Sequence, residues 1–208
     1  MTASSIITPF SLTSSLSAAK VLGSTFCEKN IEHIVTREPG GSPLSEKLRD
    51  LILDKNSEME YRTEALLYAA ARAEHLEKTV KPALLEGKIV LCDRFVISSI
   101  AYQGYGRKLG EKEIYDLNLF ATNGFESDLT LFLMTDYKTG LERKKSQKEL
   151  DRMELQGASF HKEVYNGYLK LANDNLHREN FFIIDSNRDF KDVYQEVLGI
   201  ILDKTGFK

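Results

Sequence analysis

The sequence predicts an α/β sandwich built on a mostly parallel sheet. Short apolar runs of strand length alternate with stretches of helical periodicity, and strands separated by helices imply parallel pairing. No repeat and no linker interrupts the 208 residues, so residues 1–208 fit one domain with a full core.

The elements follow in order. A first strand around Ser5–Ile7 is weakly specified, because only Ile6 and Ile7 are apolar. Ile31–Thr36 reads as a short strand and Ser45–Leu53 as a short helix with Pro43 near its start. Thr63–Leu85 reads as one long helix, since Ala65, Leu66, Ala69, Ala70, Ala73 and Leu76 recur at helical spacing. Gly87 follows its end, where a left-handed cap is easy. Ile89-Val90-Leu91-Cys92 is an apolar run suited to a strand buried on both faces. Glu111–Ala121 is helical and Leu129–Met134 is another buried strand. Tyr137–Lys148 and Ser159–Ala172 read as amphipathic helices around a charged link. Phe181–Ile184 is the last strand and Asp189–Leu202 the closing helix.

Composition narrows the function classes. A net charge of −3 excludes a globally basic nucleic-acid binder. Cys27 and Cys92 lack metal-type spacing and read as reduced thiols of a cytoplasmic protein. No apolar run approaches the ~18 residues of a membrane span. Residues 1–19 hold no charged side chain and no glycine, and their Ser/Thr content matches neither a secretory signal nor an Arg-rich transit peptide.

In parallel sheets the ligand sits beyond the carboxyl ends of the strands. Thr36-Arg37-Glu38 and Asp93-Arg94 both follow strands, so both are expected to line one cleft. Asp93 can hold a Mg²⁺-bound water or fix a neighbouring arginine, and Arg94 can grip a phosphate through two parallel N–H bonds; a salt-bridged strand end is the plainer alternative. In Arg37-Glu38-Pro39-Gly40-Gly41 two glycines let the backbone approach a ligand, although an ordinary surface turn reads the same way. Ser98-Ser99 and Ala101-Tyr102-Gln103-Gly104 offer a hydroxyl and an amide suited to a base edge. Tyr68 and Arg72 share one helix face, which allows an aromatic ring to stack on a base beside a guanidinium, or simply a core tyrosine.

Taken together, these pieces resemble the thymidylate kinases, in their bacterial form. The resemblance runs from about Ile31 to the C-terminus. It rests on Thr36 to Ser42 with Glu46 and Arg49, on Arg62 to Arg72, and on Asp93-Arg94-Phe95 with Ser98-Ser99. It continues through Ala101 to Gly104, Asn123-Gly124 with Asp128-Leu129-Thr130, and Asp151 to Glu154 with Phe160-His161. The family implies a P-loop nucleoside-monophosphate-kinase fold, with a five-stranded parallel sheet flanked by helices. It implies phosphoryl transfer from ATP to dTMP, giving dTDP, with Mg²⁺, in a homodimer that binds neither nucleic acid nor membrane. It also implies roles. Glu38 orients groups beside the monophosphate, Arg49 and Arg94 hold the phosphate, and Tyr68 stacks on thymine where the family has Phe. Arg72, Ser99 and Gln103 read the base, and Tyr102 packs on the deoxyribose. Asp93, from its place at the strand end rather than from the family, is the candidate to serve Mg²⁺ indirectly. A lid at about residues 144–157 supplies Arg152 to the transferring phosphoryl, with Lys144, Lys145 and Lys148 as helpers or as a solvated face.

The family's ATP loop, Gly-x-x-Gly-x-Gly-Lys-Ser/Thr, falls on about Thr8–Ser17, where this chain has neither glycine nor lysine. Side chains in place of glycines block the backbone's approach to phosphates, and a missing lysine removes charge at the transferring group. Weak or absent ATP turnover is therefore expected. Three accounts are open: a shifted frame or start over the first ~22 residues, a dTMP-binding pseudokinase, and an active enzyme with a rearranged phosphate site.

Overall fold

The computed structural model describes residues 5–8, 15–140 and 150–207, with backbone alone for 5–8 and 15–18. The strands are β1 (Ser5–Thr8), β2 (His33–Arg37), β3 (Ile89–Asp93), β4 (Leu129–Met134) and β5 (Phe181–Asp185). Among the described residues they form one sheet in the order β2-β3-β1-β4-β5, with every neighbouring pair parallel. The weakly apolar first strand is thus the central one, with Ile6 opposite Leu91 on one side and Leu129 on the other.

The apolar runs of β3 and β4 are explained by burial on two faces. Ile89 and Leu91 join Leu129, Leu131 and Leu133 in a core with Leu22 and Phe26 of α1 (Ser15–Glu28) and Val193, Val197 and Ile201 of α8 (Phe190–Thr205). The alternate residues point the other way. Val90 and Cys92 pack with Leu76, Val80 and Phe95, and Phe132 packs with Val164, Tyr168 and Leu171 of α7 (Ala158–Asn175). Helices therefore cover both faces, which a parallel sheet requires.

Local signals set the helix ends. Ser42 accepts a hydrogen bond from the Ser45 backbone N–H, with Pro43 opening α2 (Pro43–Leu53). The long helix expected over 63–85 exists as α3 (Tyr61–His75), a wider π-helical stretch (Leu76–Val80) and α4 (Lys81–Leu85). Pro82 has no N–H and crowds the preceding turn, and the widened turn accommodates it. Gly87 follows at φ +82°, as its position suggests. α6 (Glu111–Thr122) closes on Asn123 in the left-handed conformation.

Two segments have no counterpart in the sequence reading. One is α1, which begins inside the residues 1–19 of odd composition and buries Ala19, Leu22 and Phe26 at helical spacing. The other is α5 (Val96–Ser99) with a second π-helical stretch (Ile100–Gly106). The helix expected over Tyr137–Lys148 begins with helical residues 137–140, and its remainder falls at 141–149, outside the described residues.

Candidate active site

The carboxyl ends of three strands meet at one place. Arg37 of β2 and Thr8 of β1 are each register partners of Asp93 at the end of β3. One residue further, the Glu38 backbone N–H donates to the Asp93 carbonyl at 2.9 Å. Beyond this edge lies a cleft of about 740 Å³, open solvent at its mouth included, which is in the size range of small-molecule sites. Its walls include Glu38, Arg49, Tyr68, Arg72, Arg94, Ser99, Tyr102 and Gln103, so the structure brings the expected acceptor-site residues together. Asp151, Glu154 and His161 also line it. Sequence reasoning placed these three in matching motifs but gave them no role.

One wall is a single stripe of α3. Glu64, Tyr68 and Arg72 recur every four residues and His75 follows three later, so all four share a helix face. The upper end of the stripe is organised by Glu38, which is 3% exposed. Arg72 Nε donates to its Oε2 at 2.6 Å, and His75 Nδ1 lies 3.0 Å from its Oε1. Burial pushes the Glu38 carboxyl up, but the Arg72 charge and the His75 contacts outweigh it and hold the group below its ordinary range. His75 Nε2 continues to Thr36 Oγ1 at 2.7 Å. A Cβ on Gly41 (φ +84°) would collide with both that ring and that hydroxyl, so glycine is needed here for space as well as conformation. Arg72 Nη1 donates to Ser99 Oγ at 3.0 Å and also to Asn118 Oδ1, and its guanidinium lies 5.3 Å from the Phe95 ring centroid.

The basic end of the cleft comes from Arg49 and Arg94. Arg49 Nη1 donates to the Pro39 carbonyl at 2.7 Å, and burial together with the nearby Arg37 charge lowers its pKa. Arg94 adopts φ +70° and lies over the Tyr102 ring at 5.5 Å from its centroid. Tyr102 is itself edge-on to Phe160 and Tyr168. Burial, and then the Glu64 carboxylate, push the Tyr68 phenol above its usual range, so its ring is neutral.

Arg152 departs from expectation. Its side chain is not part of the cleft wall but runs inward, with Nε on the Ile52 carbonyl at 2.7 Å and Nη2 on Glu64 Oε2 at 2.8 Å. A fully buried carboxylate offers this guanidinium a stronger partner than solvent does. Glu64 also accepts from Arg107 Nε at 3.1 Å, Arg107 Nη2 at 2.9 Å and Gln103 Nε2 at 3.0 Å. Sequence reasoning assigned no role to Glu64, Arg107 or Asn118. The available signal was a carboxylate inside the Tyr68–Arg72 stripe.

The expected ATP loop is only partly described. Thr8 ends β1 and Ser15–Ser17 open α1, giving the strand-then-helix order such a loop needs, while residues 9–14 lie outside the described residues. Lys144, Lys145 and Lys148 also lie outside them. Among the described residues, no helix is long and apolar enough to cross a membrane.

Comparison with known proteins bears on this geometry. A family model for thymidylate kinase matches residues 17–197. The chain is 51% identical over 175 residues to a thymidylate kinase of Finegoldia magna, covering 84% of this chain and 85% of the relative. A thymidylate kinase of Lactobacillus helveticus is 49% identical over 173 residues, covering 82% and 81% of the two chains. One from Clostridium novyi is 45% identical over 185 residues, covering 88% and 89%.

Proposed function

Because the chain belongs to the thymidylate kinase family, we propose that it transfers a phosphoryl group from ATP to dTMP, giving dTDP, as one domain with the P-loop nucleoside-monophosphate-kinase fold. The observation that carries this reading is the cleft itself. A neutral aromatic ring, a buried guanidinium and an amide line its walls with Arg49 and Arg94, which suits a base and a phosphate held in one site.

Tyr68 stacks on the base, Arg72, Ser99 and Gln103 read its edge, and Tyr102 packs on the sugar. Arg49 and Arg94 hold the monophosphate, and Glu38 fixes the groups around it. Asp93, buried at the tip of β3 beside Thr8, is the residue suited to hold Mg²⁺ through water, and Mg²⁺ neutralises phosphate charge when bound. Arg152, within the expected lid segment 144–157, ties that segment to the core through Glu64. Catalysis is then positioning and charge neutralisation rather than covalent chemistry. The Thr8–Ser17 segment offers hydroxyls but no lysine or glycine, so it does not fit a phosphate cradle of the usual kind.

A homodimer is the proposed assembly. α2, α3 and α6 pack side by side, and Leu51, Leu66, Leu119 and Phe120 are exposed on them. A cytoplasmic setting suits the free thiols Cys27 and Cys92.

A coupled assay for ADP release with dTMP and Mg-ATP tests the reaction. Release that depends on dTMP is expected; none above background at high protein concentration overturns phosphoryl transfer for this chain. Calorimetric titration tests the site separately, with dTMP expected to bind more tightly than dUMP.

A further inference from the structure

We propose that Glu64 is a positioning residue that fixes which way the Gln103 amide faces, and thereby makes the cleft select thymine over cytosine. The inference rests on the dTMP reading above and deepens it.

Glu64 is 0% exposed and receives four donors. Gln103 Nε2 and Arg107 Nε reach Oε1, while Arg107 Nη2 and Arg152 Nη2 reach Oε2. A carboxylate has about four lone-pair positions, and here donors take all of them, so Glu64 acts purely as an acceptor. An amide beside such a group has one acceptable orientation: NH₂ toward the carboxylate, oxygen away from it. Gln103 is 1% exposed and lines the cleft, and its Oε1 has no hydrogen-bond partner among the described residues. A buried amide oxygen left unpaired is unfavourable, so the arrangement waits for a ligand donor.

The cleft therefore presents an acceptor from Gln103 and donors from Arg72 in the same lining. Arg72 is fixed by Glu38, Ser99 and Asn118, and its Nη2 makes no hydrogen bond among the described residues. Thymine carries an N3–H donor beside an O4 acceptor and complements that pair. Cytosine carries an N3 acceptor beside an N4 amino donor and opposes both. Were Gln103 free to turn its amide, it would offer NH₂ to cytosine N3 at little cost. Glu64 denies that turn. Because the same carboxylate holds Arg152, base selection is also tied to the expected lid segment that carries it.

The test is calorimetric titration of wild type and Glu64→Gln with dTMP, dCMP and N3-methyl-dTMP, with thermal melting to confirm folding. For wild type, dTMP should bind at least about 30-fold more tightly than dCMP, and N3-methylation should weaken binding at least about tenfold. In Glu64→Gln the dTMP/dCMP ratio should fall at least about fivefold, since an amide at 64 can donate or accept and so releases Gln103. A merely structural loss would weaken both ligands alike and leave the ratio unchanged. A folded Glu64→Gln with an unchanged ratio, or a wild type indifferent to N3-methylation, overturns the inference alone. A wild type that does not bind dTMP overturns the underlying reading as well. If Glu64→Gln does not fold, the wild-type Gln103 side-chain amide decides, read by ¹⁵N NMR and assigned with Gln103→Met. A Gln103 side-chain amide proton that exchanges slowly before any dTMP is added shows an amide already held by Glu64; one that exchanges freely until dTMP is added shows that the ligand sets it, and overturns the proposal.

Discussion

The acceptor cleft and the Thr8–Ser17 segment meet at the same edge of the sheet, yet they differ in chemistry. Thr8 is the register partner of Asp93, and the Asp93 carbonyl holds the Glu38 N–H, so backbone geometry joins the two regions directly. On the cleft side nearly every polar group has a defined partner: Glu38 with Arg72 and His75, Ser99 with Arg72, Gln103 with Glu64. On the other side the order of strand and helix survives, while the sequence holds neither glycine nor lysine. The contrast teaches that strand-to-helix topology and phosphate chemistry are separable. Topology needs only apolar residues such as Leu22 and Phe26 to seat α1 on the sheet, whereas a phosphate cradle needs particular residues at particular positions.

The largest expected effect comes from removing that difference. Replacing Thr8–Ser17 with a loop of the form Gly-x-x-Gly-x-Gly-Lys-Ser should raise dTMP-dependent ADP release at least about a hundredfold, because one well-placed donor alone contributes about 10²–10³ in rate. Unaltered turnover in the graft, or a wild type already working at roughly 1–100 per second, would show that the hydroxyl-rich segment suffices. Next is Arg94→Ala on the cleft side. A bidentate grip on phosphate makes two charge-assisted bonds of about 1.5–3 kcal/mol each, so dTMP affinity should drop by more than about a hundredfold in calorimetric titration. Thymidine, which lacks the phosphate, should bind both proteins alike; an equal loss for thymidine would mean that Arg94 acts by supporting Tyr102.

The two regions were not equally legible in the sequence. The strand runs at 89–92 and 129–134 announced themselves because both faces of β3 and β4 are buried, which produces continuous apolar stretches. Glu38 and Arg94 were legible because both follow strands at the carboxyl edge of the sheet, and Tyr68 and Arg72 because their spacing puts them on one helix face; that the two pairs share one cleft was implied only by the family resemblance. Glu64 escaped assignment because its importance depends on Arg107 and Arg152, 43 and 88 residues away, and such distant pairings leave no local pattern. The Arg152–Glu64 contact was hidden for the same reason: nothing nearby in the chain reveals the buried carboxylate that this guanidinium meets. The π-helical stretches at 76–80 and 100–106 also left little signal, since a widened turn shifts apolar spacing by only one residue.

Glu38 ranks third. Glu38→Gln leaves Arg72 buried beside a neutral amide and should cost about 3–5 kcal/mol at neutral pH, measured by urea unfolding. Its pH dependence has a definite sign. The folded-state carboxyl titrates below its ordinary value of 4.5, so the unfolded chain holds the proton more tightly. The stability it contributes is complete above that value and fades as pH falls through the lower folded one. The gap between wild type and Glu38→Gln should therefore shrink on acidification; a gap that widens would show that burial, rather than Arg72 and His75, controls this group.

Tyr68 carries the smallest effect and tests whether the cleft recognises a base through a ring or through a hydroxyl. It stands between Glu64 and Arg72 on the α3 stripe, half-buried, with its phenol kept neutral by burial and by the Glu64 carboxylate. Offset stacking on a planar base contributes about 0.5–1.5 kcal/mol beyond the area it buries. Tyr68→Ala should accordingly weaken dTMP binding between about twofold and about tenfold. Tyr68→Phe keeps the ring and removes an oxygen that is costly to bury, so it should change affinity less than about threefold, in either direction. If Phe is as damaging as Ala, the hydroxyl makes a directional contact with the ligand, and the stripe would then read the base through Tyr68 and Arg72 as two polar groups rather than clamp it as a ring beside a cation.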